Sequence, residues 1–488
     1  MNRREFMTGV VAGTAGAALA GCSTTKNNLA AASTPLIYDQ SSNEPHSDNF
    51  HDWAKRPPLG WNSYNCFGAA VKEAEIRANA DYMAKHLKKY GWEYIVVDYC
   101  WYYPHPPGSI QSNPPQFRLK KDDAPVPWFG MDEYGRLLPA IEKFPSAARG
   151  NGFKELADYI HSLGLKFGIH VMRGVPRQAV WAKTPIKGAP GIDASMIADT
   201  REEMQCGWLN SMYAIDMSKP GAQEYYDSIV ELYNEWNVDY IKMDDLDSGN
   251  PKRPYRKTEA EAMRNAIDNN GKPIVLSLSL FLKHKDREHL KQTANLWRIS
   301  SDFWDDWGKL KKQFDWCFQW QDEVGTGYGP DADMLALGSL AKRGPVGIPR
   351  ISNFNEAEQY THMTLWSIFR SPLMMGGHMP ENSEFVKSLL SNNEILYVNQ
   401  FGQKPKQFSR QNEQIIWVAE DSQSSAKFVA VFNLADNEQA ISFSPAQFAF
   451  GKGANIRDLW QKRNLGKFDS LFTTNVAPHG AQIFKLFA

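Results

Sequence analysis

The chain lacks several features that would fix its class at once. Its net charge is −1, so no basic excess points to nucleic acid, and no acidic tail is present. It has five cysteines, and Cys66, Cys100, Cys206 and Cys317 show no metal-ligand spacing such as Cys-x-x-Cys. No internal repeat or low-complexity tract stands out in the body of the chain. No Gly-rich phosphate loop follows the first strand-like run, which argues against a doubly wound nucleotide-binding sheet. The leading apolar run, Thr8 to Ala20, is too short to span a bilayer.

What is present points to an exported globular enzyme. Hydrophobic residues make up 42% and charged residues 22% of 488, which predicts packed cores and more than one domain. Aromatics reach 12%, and sugar sites favour them because the C–H face of a sugar packs on a ring. Arg3-Arg4-Glu5-Phe6-Met7, the apolar run and Leu19-Ala20-Gly21-Cys22 resemble a twin-arginine export signal closed by a bacterial lipoprotein cleavage site. Residues 1–22 are therefore expected to be an export signal, and residues 23–55, rich in Ser, Thr, Asn, Asp and Ala, a linker. This predicts a protein lipid-anchored at the cell envelope, on the periplasmic side or the cell surface.

From Pro57 onward, short apolar runs alternate with amphipathic stretches. The expected strands are Leu59-Gly60-Trp61, Tyr94 to Asp98, Lys166 to His170, Tyr240 to Asp244, Pro273 to Ser277, Leu296 to Ser300, Met334-Leu335 and Pro372 to Met375. Eight such units predict a (β/α)8 TIM barrel over residues 56–398. After about residue 400, runs such as Gln414 to Ala419 and Phe428 to Phe432 lie between turn residues. They predict a C-terminal antiparallel β-sandwich domain over residues 399–488.

Asp98, His170, Asp244 and Asp302 each fall at or just past the C-terminal end of an expected strand, the rim where barrels carry their chemistry. Paired carboxylates suit glycoside hydrolysis, and retaining enzymes hold them about 5–5.5 Å apart. The pattern alone does not say which Asp does which job, and a single Asp there could equally cap the following helix.

Five segments, in order, resemble glycoside hydrolase family 27, the α-galactosidase family. They are Pro57 to Asn65, Tyr240-Ile241-Lys242-Met243-Asp244-Asp245, Trp297-Arg298-Ile299-Ser300-Ser301-Asp302, Asp331-Ala332-Asp333-Met334-Leu335 and Glu394 to Gln400. The resemblance implies Asp244 as nucleophile and Asp302 as general acid/base, with Lys242 beside the nucleophile. It implies sugar contacts from Arg298, Asp98 and Asp333, and an aromatic wall from Trp61 and Tyr64. It implies an oligo- or polysaccharide substrate and no cofactor or metal, since two carboxylates suffice.

Three positions depart from the family. Tyr99 replaces the second of two adjacent Asp residues that hold the galactose O4 and O6 hydroxyls. His170 stands where the family has Tyr. Leu278-Ser279-Leu280 replaces Cys-Glu-Trp. The expectation is thus a retaining exo-acting hydrolase of α-galactosidase type. The alternatives are another glycone (a β-L-arabinopyranoside, an α-N-acetylgalactosaminide or a sulfated galactose) greeted by Tyr99, His170 and Ser279, and a non-catalytic glycan-binding lipoprotein. Lys283, Lys285 and Arg287 read either as a contact for an anionic sugar or as an exposed basic loop.

Overall fold

The structure is a computed structural model that describes residues 49–104, 129–247, 254–279 and 281–488. The expected export signal, the linker up to residue 48 and Leu280 lie outside the described residues. Eight parallel strands form one sheet: β1 (Leu59–Asn62), β2 (Tyr94–Val97), β3 (Lys166–Met172), β4 (Tyr240–Asp244), β5 (Val275–Leu278), β6 (Leu296–Arg298), β7 (Gly329–Asp331) and β8 (Leu373–Met375). Strands β1 to β7 pair in chain order, and β1 also pairs with β8. The ring closes between β7 and β8, where Leu335 bridges Met375 and its N–H donates to the Met374 carbonyl at 2.7 Å. The seventh strand was expected at Met334-Leu335. It lies slightly earlier, at Gly329–Asp331, and Leu335 supplies the closing bridge instead.

The sequence alternation becomes radial. Ile95, Val97, Ile241 and Met243 point outward and pack in the main core. Tyr94, Val96, Tyr240, Val275, Leu296, Met334 and Met374 form a separate cluster that fills the barrel. Gly60 is required there, because a Cβ on it would lie 2.7 Å from the Tyr94 carbonyl and 2.8 Å from Met374 Sδ. Continuing each inward row by two residues turns it polar: Asp98, Lys242 then Asp244, Ser277 then Ser279, and Arg298. The apolar layer thus sits under a layer of charge at the strands' C-terminal ends.

Helices α1 (Glu73–His86), α2 (Lys154–Ser162), α3 (Ala222–Glu235), α4 (Lys257–Asn270), α5 (Arg287–Thr293), α6 (Trp307–Trp320) and α7 (Glu356–Phe369) follow the first seven strands. α7 begins with a capping box of Asn355 and Glu358, and Asp306 caps α6 through the Lys309 N–H. One part of the expected linker is not a tether. Phe50–Ala54 is a short 3₁₀ turn, and Trp53 and Ala54 pack on the barrel-filling cluster beneath the strand N-termini.

Helix α8 (Asn393–Phe401) leads into the second domain. A six-stranded antiparallel sheet there faces a two-stranded one, Gln439–Phe443 paired with Phe472–Val476. Val429, Val431, Ile441, Phe443, Ile456, Phe472 and Phe484 fill the space between them, which makes the sandwich. Strand Ala481–Phe487 packs against α7 of the barrel, and Thr361 on α7 donates to the His479 carbonyl at 2.6 Å.

Candidate active site

Asp244 closes β4 and is buried. Its two oxygens are held separately: Oδ1 accepts the Asp245 N–H at 2.7 Å, and Oδ2 lies 3.0 Å from His170 Nε2 on β3. Since an ionised carboxylate only accepts, the His170 tautomer that satisfies this contact carries its proton on Nε2. Burial alone would raise the Asp244 carboxyl. The hydrogen bond and charge of His170, then Lys242 and the Asp245 N–H, outweigh it and hold the group well below the usual carboxylate range.

Lys242 lies two residues earlier on the same inward row. Its Nζ bonds to Asp98 Oδ2 at 3.0 Å, while Asn62 Nδ2 donates to the same oxygen at 2.8 Å. Lys242 thus ion-pairs with Asp98, and its charge also acts on Asp244 through space and lowers that carboxyl. Its ammonium also stands 5.4 Å from the centroid of the Tyr64 ring.

Asp302 lies in the loop after β6. Tyr64 donates its hydroxyl to Oδ2 at 2.9 Å, and Arg298 Nη2 lies 3.3 Å from Oδ1. The Asp302 side chain is 36% exposed against 7% for Asp244, so one carboxyl faces water and the other is enclosed. Asp333 was expected as a sugar ligand. Both its oxygens are taken inside the protein, one 2.8 Å from Arg298 Nη1 and one accepting the Phe303 N–H at 2.7 Å. It therefore braces the Asp302 segment from both sides. Burial raises its carboxyl to about 6 despite Arg298.

Tyr99 is buried edge-on among aromatic rings. Its centroid lies 5.4 Å from Tyr64, 6.2 Å from His170 and 6.2 Å from Trp208. This cup joins the two carboxyls, because Tyr64 holds Asp302 while His170 holds Asp244. Trp61 was expected in the aromatic wall. It is instead wholly buried in the core, with Nε1 donating to the Gly377 carbonyl at 2.8 Å. Trp304, 6.0 Å from Tyr64, takes a place beside the cup. Ser279 is fully buried and its hydroxyl has no hydrogen-bond partner. Lys283 lies 3.5 Å from Asp247, and Arg287 reaches Glu323, so these two of the three basic side chains are partnered by carboxylates.

Asn62, Trp304 and Asp245 were not singled out from the sequence. Asn62 and Asp245 stand inside recognised motifs, and the inward row of β1 would have flagged Asn62. Nothing local marks Trp304, whose neighbour Tyr64 is 240 positions earlier.

A closed barrel with two carboxyls on its polar rim fits glycosidic bond hydrolysis, and the comparisons with known proteins identify the class as a glycosidase. Residues 210–401 match the sequence profile described as alpha galactosidase A, and residues 411–486 that of the alpha galactosidase C-terminal beta sandwich domain. A crystal structure of a family 27 β-L-arabinopyranosidase from Geobacillus stearothermophilus, in complex with arabinose, is 44% identical. It covers 91% of this chain and 100% of its own, with a TM-score of 0.85. A Bacillus halodurans protein described as a candidate α-N-acetylgalactosaminidase is 40% identical, covers 88% of this chain and 97% of its own, and has a TM-score of 0.78. An α-galactosidase of Oryza sativa subsp. japonica is 26% identical over 88% of this chain and 85% of its own length. The chain belongs to glycoside hydrolase family 27.

Proposed function

We propose that the protein is a retaining exo-acting hydrolase of terminal β-L-arabinopyranosyl residues. Asp244 attacks the anomeric carbon and forms a glycosyl ester as the bond to the leaving oxygen breaks. Asp302 gives that oxygen its proton. Asp302 then takes a proton from water, the water oxygen attacks the same carbon, and Asp244 is released. The ionised, doubly held state of Asp244 and the solvent-open position of Asp302 support these roles.

Tyr99 carries the choice of glycone. β-L-Arabinopyranose is α-D-galactopyranose without its C6 hydroxymethyl group. Where the family's α-galactosidases have an Asp that accepts from the sugar, this chain has a phenol packed among Tyr64, His170 and Trp208. That change removes a carboxylate acceptor and adds bulk. The 44% identical relative named for this activity supports the same reading.

The test is hydrolysis of 4-nitrophenyl β-L-arabinopyranoside, α-D-galactopyranoside, α-N-acetylgalactosaminide and α-D-glucopyranoside. The arabinopyranoside is expected to have the highest kcat/KM, with an axially configured first product by NMR. A clear preference for the galactoside would return the protein to the α-galactosidases. Asp302→Ala should slow substrates with poor leaving groups far more than activated aryl glycosides. The Arg3-Arg4 signal and Cys22 further support export and lipid anchoring. Cys22→Ala is expected to move the protein from the membrane fraction to the soluble one.

A further inference from the structure

Arg173 is the first residue past β3, adjoining Met172, which pairs with Asp244 on β4. Its backbone N–H donates to the Asp244 carbonyl at 3.3 Å. Its guanidinium grips the next residue twice: Nε donates to the Asp245 carbonyl at 2.7 Å, and Nη2 lies 2.7 Å from Asp245 Oδ2. Nη2 also donates to the Met204 carbonyl at 2.8 Å, and Nη1 to Glu259 Oε1 at 3.0 Å. Glu259 is itself anchored by the Tyr226 hydroxyl at 2.8 Å. A buried fork of this kind fixes direction as well as distance, which a point charge does not.

What the fork holds is strained. Asp245 has φ +65°, the left-handed region that side chains other than glycine rarely adopt. In that turn its N–H points back to Asp244 Oδ1 at 2.7 Å. One of the two hydrogen bonds that orient Asp244 is thus supplied by a residue in an unfavourable conformation. Arg173 binds that residue by both its carbonyl and its carboxylate.

We infer that Arg173 is a positioning residue for Asp244, acting through Asp245. Its guanidinium stabilises the left-handed turn, and the turn aims the amide that fixes the carboxylate. This rests on Asp244 being the nucleophile. The inference concerns bond-making and not sugar binding, because Arg173 has its donors turned toward protein groups and is 3% exposed.

The probe is a cyclitol epoxide with the hydroxyl configuration of β-L-arabinopyranose and no hydroxymethyl group, whose ring carbon is esterified by a carboxylate nucleophile. Its labelling rate is compared with L-arabinose affinity measured by calorimetry. Peptide mapping of the labelled wild type comes first. A label away from Asp244 refutes the catalytic reading and this inference with it. With the label on Asp244, Arg173→Gln is expected to slow labelling at least about tenfold, since misplacing a reacting group by about 1 Å can cost 100-fold. Arabinose affinity should stay within about twofold.

Arg173→Lys keeps the cation opposite two carboxylates and loses the fork. It should fold if the Gln variant does not, and should also label slowly. Glycine adopts the left-handed turn without strain, so adding Asp245→Gly to either variant should recover at least half of the lost rate on a logarithmic scale. Labelling at the wild-type rate, a parallel loss of arabinose affinity, or no recovery with Asp245→Gly each overturns the inference.

Discussion

The Tyr64 hydroxyl donates to Asp302 Oδ2 at 2.9 Å, tying the exit of β1 to a carboxyl 238 positions later in the loop after β6. The same ring faces the Lys242 ammonium and borders Tyr99, so one side chain touches the acid/base candidate, the buried cation and the Tyr99 phenol. Burial first, then the charge of Asp302, pushes the Tyr64 phenol well above its ordinary value, so it stays a donor. A hydrogen bond to a charged group contributes about 1.5–3 kcal/mol. Tyr64→Phe is therefore expected to lower kcat roughly 10- to 100-fold, as about 1.4 kcal/mol is tenfold. Steady-state kinetics check this, and an unchanged kcat would sink it.

Tyr99→Ala should open the space occupied by the phenol. The ratio of kcat/KM for α-galactoside over β-L-arabinopyranoside is expected to rise at least about tenfold, in the range a single pocket change gives. The comparison is made on paired aryl glycosides. A fall in both substrates with no change of ratio would count against a specificity role for Tyr99.

Lys242→Met leaves Asp98 buried without its cation, a change expected to cost about 3–5 kcal/mol at neutral pH. Burial alone would raise the Asp98 carboxyl, but Lys242 and then His170 hold it below the ordinary value. A depressed carboxyl contributes stability above its unfolded value, and that contribution is lost as pH falls through the lower folded value. The gap between wild type and variant should thus be widest near neutrality and narrow toward pH 3. Urea denaturation at a series of pH values measures it.

Asp333 sets a different pH signature. Burial raises its carboxyl to about 6, so its ion pair with Arg298 forms as pH rises through that value. The sign is opposite to that of Asp98: the protonated form is favoured in the fold, so its stability contribution is full below the ordinary carboxylate value and is lost as pH rises through about 6. Asp333→Asn should flatten the acid limb of the kcat profile near that pH. It should also remove the decline of thermal stability between the ordinary carboxylate value and about 6. Retention of both features in the variant would assign them to another group.

Much of this arrangement was legible in the sequence. Strand–helix alternation gave the barrel, and Asp98, Asp244 and Asp302 stood out because strand ends in a barrel face the pocket. Roles that depend on which neighbour claims an oxygen were not legible. Lys242 is two residues from Asp244 but bonds to Asp98, because alternate residues on a strand share a face at different depths. Asp333 resembles a ligand until Arg298 and Phe303 are seen to occupy it. Trp61 sits in a recognised motif, yet its outward position on β1 sends it into the core, with its N–H spent on Gly377. Phe50–Ala54 falls at the end of the stretch whose composition reads as a linker. It is ordered only because Trp53 finds the barrel's apolar floor and the Arg264 guanidinium lies 4.8 Å from its ring.

That floor plug has a practical consequence. With the Phe50 carbonyl held by Asn295 and the His51 ring by the Lys291 carbonyl, the chain enters at the closed end of the barrel, one strand length from the carboxylates. A bead or a dye coupled to an Asn49→Cys variant sits at that end. Coupling at that position therefore leaves the rim that carries Asp244 and Asp302 unobstructed.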